Sequence, residues 1–363
     1  MNKTVDIFAR GAKDGVYPGG QLTVSRECQR VITASVGRLG QNNSQVSHQT
    51  HYDLASLTKV LATSVLFGRA LERGLCNIED PLAMYVPEVN TKISLQHALE
   101  HTTGLPAHIR FDEDLPPEIP HESWDAWRHI VRAAATSQAV RPPGTKVEYS
   151  DVGFILLGAA LEAMFGLPLS TAFALLGTKL FFRDRRGPPS LPLFPVSAPV
   201  ACSEPHVRAG FVHDENARCM GGAAGHAGLF GTATGVLKIA EDLVRSYHGG
   251  QGGLLQRETV RRLWQPSSLR NSTRTLGWDR PSPRKSSTGT QWPSNSVGHL
   301  GFTGCSLWIE PERALIAVLI TNRVWPTRSN NLIRRLRPEL HDAIWNEWGA
   351  AATPLLANQT VHH

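Results

Sequence analysis

Along the 363-residue chain the spacing of apolar positions changes from helical to alternating and back. Residues 3–14 show a weak three-to-four spacing that predicts a short helix, ended by Pro18-Gly19-Gly20. The runs QLTVS and RVITASV that follow, within residues 21–37, are β-rich and flank a polar turn, which reads as a hairpin. Leu57, Val60, Leu61, Ser64, Val65 and Leu71 recur at helical spacing and predict a long helix over 54–75. Further helical stretches fall near 94–101, 123–137, 152–165 and 234–247. Strand pattern returns in GCSLWIEPERALIAVLITN, two apolar runs joined at Glu310-Pro311-Glu312-Arg313, and an amphipathic helix covers about 330–348. Two stretches, 185–205 and 280–297, read as loops.

Strands at both ends with helices between them fit one interleaved unit better than two domains in series. The expected fold class is α+β: a sandwich whose antiparallel sheet of about five strands comes from roughly 1–50 and 274–350, flanked by the first and last helices. A helical central region spans about 51–273, and 351–363 is left as a tail.

Composition narrows the function classes. Hydrophobic residues make up 41% and charged residues 19%, which describes a folded globular chain. The net charge of +6 is scattered. The densest basic runs, 183–186 and 334–337, are short and lack interleaved aromatics, so they read as solvated surface and not as a nucleic-acid face. Cys28, Cys76, Cys202, Cys219 and Cys305 are odd in number and contain no C-x-x-C, which argues against a disulfide framework or a cysteine zinc site. The first twenty residues lack a signal-peptide apolar run and no stretch reaches the length of a membrane span. The expectation for the sequence as given is a cytoplasmic protein with no membrane or nucleic-acid partner and no evident obligate protein partner.

The candidate chemistry begins at Ser56-Leu57-Thr58-Lys59. Residues three apart on a helix share a face, so the serine hydroxyl and the lysine amine can meet there. A serine becomes a useful nucleophile when a base takes its proton, and a lysine serves if its surroundings lower its pKa. A second S-x-x-K, Ser282 to Lys285, lies in the proline-rich loop with no helix to align it. His97-Ala98-Leu99-Glu100-His101 matches an H-x-x-E-H zinc pattern, but Gly104-Leu105-Pro106 ends the helix at once. There is no G-x-S-x-G elbow and no phosphate-binding G-x-x-x-x-G-K-[ST].

The chain resembles the β-lactamase-related serine hydrolases, which group class C β-lactamases, D-alanyl peptidases and certain esterases and amidases. The resemblance is carried in order by VYPGGQLTVS, then Tyr52 to Val60, His101-Thr102-Thr103-Gly104-Leu105-Pro106, Pro143-Gly144, Tyr149-Ser150-Asp151 and His299-Leu300-Gly301-Phe302-Thr303-Gly304. The stretch 213–230, HDENARCMGGAAGHAGLF, resembles one branch, close to cell-wall-recycling amidases, in which His213 to Asn216 would shape one cleft wall. The resemblance implies a β-lactamase/transpeptidase-like fold with no metal or organic cofactor. It implies Ser56 as nucleophile, Lys59 as base and Tyr149 as proton relay, with an oxyanion hole from the N–H groups of Ser56 and Phe302. Gly301 would let substrate lie along the strand.

Two positions depart from the family pattern. Asp151 stands where asparagine is usual; an acid there would pair with Lys59, favour its charged form and shift the load of proton transfer towards Tyr149. His299-Leu300-Gly301 replaces K-T-G, so His299 and Leu300 offer a drug carboxylate less charge and no hydroxyl. Asp151, His299 and Gly301 are the candidate substrate-binding positions. The expected substrate is a small molecule or peptide-like amide or ester, with a muropeptide amide or a small ester ahead of β-lactamase or D-alanyl peptidase chemistry. A catalytically silent binder of cell-wall fragments is the reading of a different class.

Overall fold

The computed structural model describes residues 2–40, 44–89, 92–187 and 209–349. In chain order the elements are α1 (Lys3–Lys13), β1 (Gly19–Arg26), β2 (Gln29–Gly37) and β3 (Tyr52–Asp53), then a π-helical turn, Lys59–Thr63, running into α2 (Ser64–Glu72). The helical middle holds α3 (Leu95–Leu99), α4 (Trp124–Ala135), α5 (Asp151–Phe165) and α6 (Leu169–Ala174), then β4 (Phe181–Phe182), α7 (Glu215–Cys219), β5 (Leu229–Gly231), α8 (Ala233–Tyr247) and α9 (Arg257–Trp264). The chain closes with β6 (Val297–Leu300), β7 (Ser306–Glu310), β8 (Leu315–Thr321) and α10 (Ile333–Ile344).

The two ends of the chain share one five-stranded antiparallel sheet, in the order β2-β1-β8-β7-β6. Strand β8 has a neighbour on each side and helices over each face, so its sequence LIAVLIT is apolar almost throughout. Its alternate residues still divide. Leu315, Ala317 and Leu319 join Ile7, Phe8, Leu340 and Ile344 in a core beneath α1 and α10, while Ile316, Val318 and Ile320 join the larger core with Leu237 and Val244 of α8. Each fully buried aliphatic side chain contributes about 1.5–3 kcal/mol, so this central strand anchors both layers. Edge strand β2 is largely exposed.

The helix predicted over 54–75 starts later and ends at Glu72, because residues 52–53 are strand and Ala55 takes a left-handed conformation (φ 47°) that no helix tolerates. The 280–296 stretch is loop and gives way to β6 at Val297; most of the 185–205 stretch and the 351–363 tail lie outside the described residues. A small sheet in the order β3-β5-β4 and the short helices α6 and α7 were not anticipated, being too short to show a period. Among the described residues no helix is long and apolar enough to cross a membrane.

Candidate active site

The nucleophile candidate is held by its neighbours' backbone. Asp53, buried, accepts from the Ala55 N–H at 2.8 Å, an Asx turn that stabilises the left-handed Ala55. The Thr58 hydroxyl donates to the Ala55 carbonyl at 2.6 Å. Three successive i→i+3 bonds follow, from the N–H groups of Leu57, Thr58 and Lys59 to the carbonyls of Leu54, Ala55 and Ser56. Such tight turns eclipse side chains three apart. The Lys59 Nζ accordingly donates to Ser56 Oγ at 3.1 Å.

Lys59 is fully buried, and two further acceptors fix its ammonium: Asp151 Oδ1 at 2.7 Å and the His226 carbonyl at 3.0 Å. Asp151 is the first residue of α5, whose cap is the Ser150 hydroxyl, and a helix N-terminus favours a carboxylate. The His226 carbonyl is delivered by the loop before β5. That loop crosses α5 so closely that a Cβ on Gly225 would sit 2.2 Å from the Phe154 carbonyl, which only glycine permits. Burial alone would lower the Lys59 pKa, but Asp151 and Tyr149 outweigh it and hold the ammonium above its ordinary value. Burial likewise opposes ionisation of Asp151, yet Lys59, His108 and His226 hold it far below the usual carboxylate range. The resting pair is ionic.

Tyr149 precedes the α5 cap and lies against the His101 ring (4.6 Å between centroids), with His299 on it at 5.7 Å. Burial raises its phenol, and the hydrogen bonds it shares with Lys59 and Ser56 oppose this only in part. His299, on β6, donates its Nδ1–H to the Leu300 carbonyl at 2.7 Å; burial and then the charges of Lys59 and Arg274 push its pKa down to about 3, so it is a neutral imidazole. Beyond it the chain turns sharply at 301–304. The N–H groups of Ser56 and Phe302 have no hydrogen-bond acceptor among the described residues. Phe302 is half exposed at the rim.

Ser56, Tyr149, Asp151, His299, Gly301 and Phe302 thus line one cleft of about 730 Å³, with Lys59 beneath its floor. His213, Asp214 and Glu215 form part of its wall, as the branch resemblance implied. Asn216 sits outside the lining and donates to the Ile109 carbonyl. The H-x-x-E-H residues do not assemble a metal site. Helix α3 ends at Leu99 and His101 is left-handed (φ 58°). Its Nδ1 accepts from the Ser150 N–H, while His97 Nδ1 accepts from the Ser94 N–H. A different trio, His108, Asp151 and Asp214, brings donor atoms within 4.8 Å of one another, although Asp151 is committed to Lys59 and Asp214 to His226. Lys285 of the second S-x-x-K reaches the cleft rim from a loop.

Sequence reasoning passed over Asp53, His108, His226 and Arg337. Asp53 could have been found, since an Asp two residues before a turn residue is an Asx-turn signal. It also accepts from the His213 N–H at 2.8 Å through its second oxygen, and its carbonyl accepts from the Thr303 hydroxyl at 2.9 Å. His108 and His226 carry no local pattern. Arg337, buried, donates to the carbonyls of Gly301 and Cys305 and so braces the 301–305 turn from α10.

The Beta-lactamase family matches residues 5–341. The chain belongs to that family. It is a serine hydrolase on the β-lactamase fold. A protein of Escherichia coli (strain K12) named D-alanyl-D-alanine carboxypeptidase is 26% identical over 359 residues, covering 85% of this chain and 79% of the relative. An N-acetylmuramyl-L-alanine amidase of Bacillus subtilis (strain 168) is 26% identical over 370 residues, covering 89% and 81%. Among solved structures, EstCE1, a hydrolase with promiscuous acyltransferase activity, superposes with a TM-score of 0.72 at 20% identity over 94% of this chain and 97% of its own. The structure of SurE gives 0.70 at 25% identity over 93% and 75%.

Proposed function

We propose that this β-lactamase-family hydrolase cleaves an amide or ester through an acyl-enzyme on Ser56, with a muropeptide-type amide as the leading substrate class and a small ester as the alternative. The observation that carries the reading is the unbroken chain from Ser56 Oγ to Lys59 Nζ to Asp151 Oδ1, at 3.1 and 2.7 Å. Lys59 rests as an ammonium, so it takes the Ser56 proton as it yields one of its own to Asp151; a neutral lysine–carboxylic acid pair is accessible because the site is desolvated. Ser56 Oγ bonds to the carbonyl carbon, and the free N–H groups of Ser56 and Phe302 receive the negative oxygen. Tyr149 passes a proton to the leaving nitrogen or oxygen as its bond to carbon breaks and regains one from Asp151 through Lys59, which leaves the acyl-enzyme with the Lys59–Asp151 pair ionic again.

The substrate class draws support from three directions. The Bacillus subtilis relative is named an N-acetylmuramyl-L-alanine amidase. Arg274, Lys285 and Arg334 on the cleft lining suit a carboxylate-bearing ligand. His299 is neutral, which gives the β6 strand no fixed charge for a drug carboxylate. The test is a fluorophosphonate probe read by intact mass on wild type, Ser56→Ala and Lys59→Ala, followed by a screen of muramyl peptides, D-alanyl peptides, nitrophenyl esters and a chromogenic cephalosporin. One adduct, lost in Ser56→Ala and slowed in Lys59→Ala, is expected, with turnover of the muramyl peptides. No adduct on folded wild type would favour a silent binder, and fast cephalosporin turnover would overturn the reading of His299 and Leu300.

A further inference from the structure

Four histidines line the cleft with Ser56: His108, His213, His226 and His299. Three are spoken for. His213 and His299 are buried, and desolvation first, then cationic neighbours, hold them neutral with pKa values of about 4 and 3. His226 is buried with its Nε2–H on Asp214 at 2.7 Å and its Nδ1 enclosed in protein without a partner. His108 is different. Its side chain is 42% exposed, and its Nδ1 lies 3.3 Å from Asp151 Oδ2. That contact sets the tautomer: Nδ1 donates to the carboxylate, so the lone pair is on Nε2, which has no hydrogen-bond partner among the described residues. A histidine held by a carboxylate, with its other nitrogen open to water, is the arrangement of a general base.

Asp151 supplies the second observation. One oxygen holds Lys59 and the other holds His108, so a single carboxylate joins the group beside the nucleophile to the group beside the solvent. Lys59 is fully buried beneath Ser56 while the His108 ring is open to the cleft, so the hydrolytic water, once Ser56 is acylated, meets His108 and not Lys59. The Coulombic and hydrogen-bonding influence of Asp151, with Asp214 and Glu215, outweighs burial and raises the His108 pKa. Facing His108 are those three carboxylates, and behind Asp151 lie the Lys59 ammonium and His226.

We propose that His108, oriented by Asp151, is the general base of deacylation. This inference rests on the acyl-enzyme reading above. Water gives a proton to His108 Nε2 as its oxygen bonds to the acyl carbon. The carbon–Ser56 Oγ bond then breaks, and Lys59 gives a proton to the departing Oγ. His108 passes its Nδ1 proton through Asp151 to Lys59, and the exposed ring regains its Nδ1–H tautomer by exchange with water. The sum is acyl-enzyme plus water to free acid plus free Ser56, with every side chain back in its resting state.

The test uses full-length protein and p-nitrophenyl acetate. Wild type, His108→Ala and His108→Gln are compared by rapid mixing and by intact mass during turnover; the glutamine can still donate to Asp151 but is no base. The expected result in both variants is a burst of about one equivalent of nitrophenolate at the wild-type rate. Steady-state turnover then slows on the order of 10²-fold, acetylated protein accumulates, and added imidazole restores part of the rate. Wild-type deacylation falls as pH drops through the His108 pKa, and the variants lose that limb. Wild-type turnover in His108→Ala, or an equal loss of burst and steady-state rates, would overturn the proposal, the latter because it places His108 in acylation or merely in holding Asp151. If no acyl adduct forms on wild type or on any variant, and the fluorophosphonate fails to label Ser56, both this inference and the acyl-enzyme reading fall.

Discussion

Two histidine–aspartate pairs meet in the cleft, His108 with Asp151 and His226 with Asp214, and the carboxylates of both lie near the His108 ring. They have the same chemistry but differ in access to water. The His226 ring is 1% exposed and its second nitrogen is sealed in protein, so its imidazole presents no open nitrogen to water in the cleft. What it does is mechanical: it pins the loop whose carbonyl receives Lys59. The His108 ring is open, and its aspartate touches the lysine directly. Exposure, not residue type, separates a clamp from a proton carrier.

The largest test of that contrast removes the shared carboxylate. Asp151→Ala leaves Lys59 buried without its counter-ion, at a cost of roughly 3 kcal/mol in stability, and lowers kcat/KM by a factor of about 10³ or more. Asp151→Asn should refold better in urea titrations and shift the pH profile. With the carboxylate gone, burial dominates and lowers the Lys59 pKa, so the limb that reports its deprotonation moves to lower pH. Next is the clamp. His226→Ala is expected to destabilise the fold by about 1–3 kcal/mol in thermal melts while leaving the ratio of acylation to deacylation rates intact. A selective loss of deacylation in His226→Ala would erase the distinction between the two pairs.

The smallest effect is thermodynamic. Burial lowers the folded-state pKa of His213 and His341 to about 4 and of His299 to about 3. For a depressed histidine the unfolded chain binds the proton first, so stability is full above the unfolded value of about 6.5 and declines as pH falls towards those folded values. His108 carries the opposite sign: its pKa is raised, so its contribution is present below about 6.5 and is lost as pH rises through the folded value. Urea midpoints should therefore fall between pH 6.5 and 4, and His108→Ala should lower them across that range without changing the slope.

Much of the architecture was legible because its signals are long. The β-rich runs of β1 and β2, the apolar runs of β7 and β8, and the helical stretches of α4, α5 and α8 extend far enough to average out local exceptions. The site was legible where motif residues sit close together in sequence: Ser56 with Lys59, and Tyr149 with Asp151. His108 was invisible because its significance is a single contact across 43 residues, and His226 because its carbonyl, which any residue could supply, does the binding. The start of the helix after Ser56 was misread because apolar spacing says nothing of a left-handed residue. Ala55 gains that conformation from Asp53, not from its own propensity.

Asp53 has a further consequence for how the molecule is made. Its hydrogen bonds reach residues 55, 213 and 303, and the strand pair β1–β8 joins residues 20–26 to residues 315–321. The chain must therefore be made through residue 321 before the serine turn and its sheet have their supports. Until then a chain hundreds of residues long carries Ser56 in an unbraced turn, and a product cut before residue 303 lacks the Thr303 contact altogether.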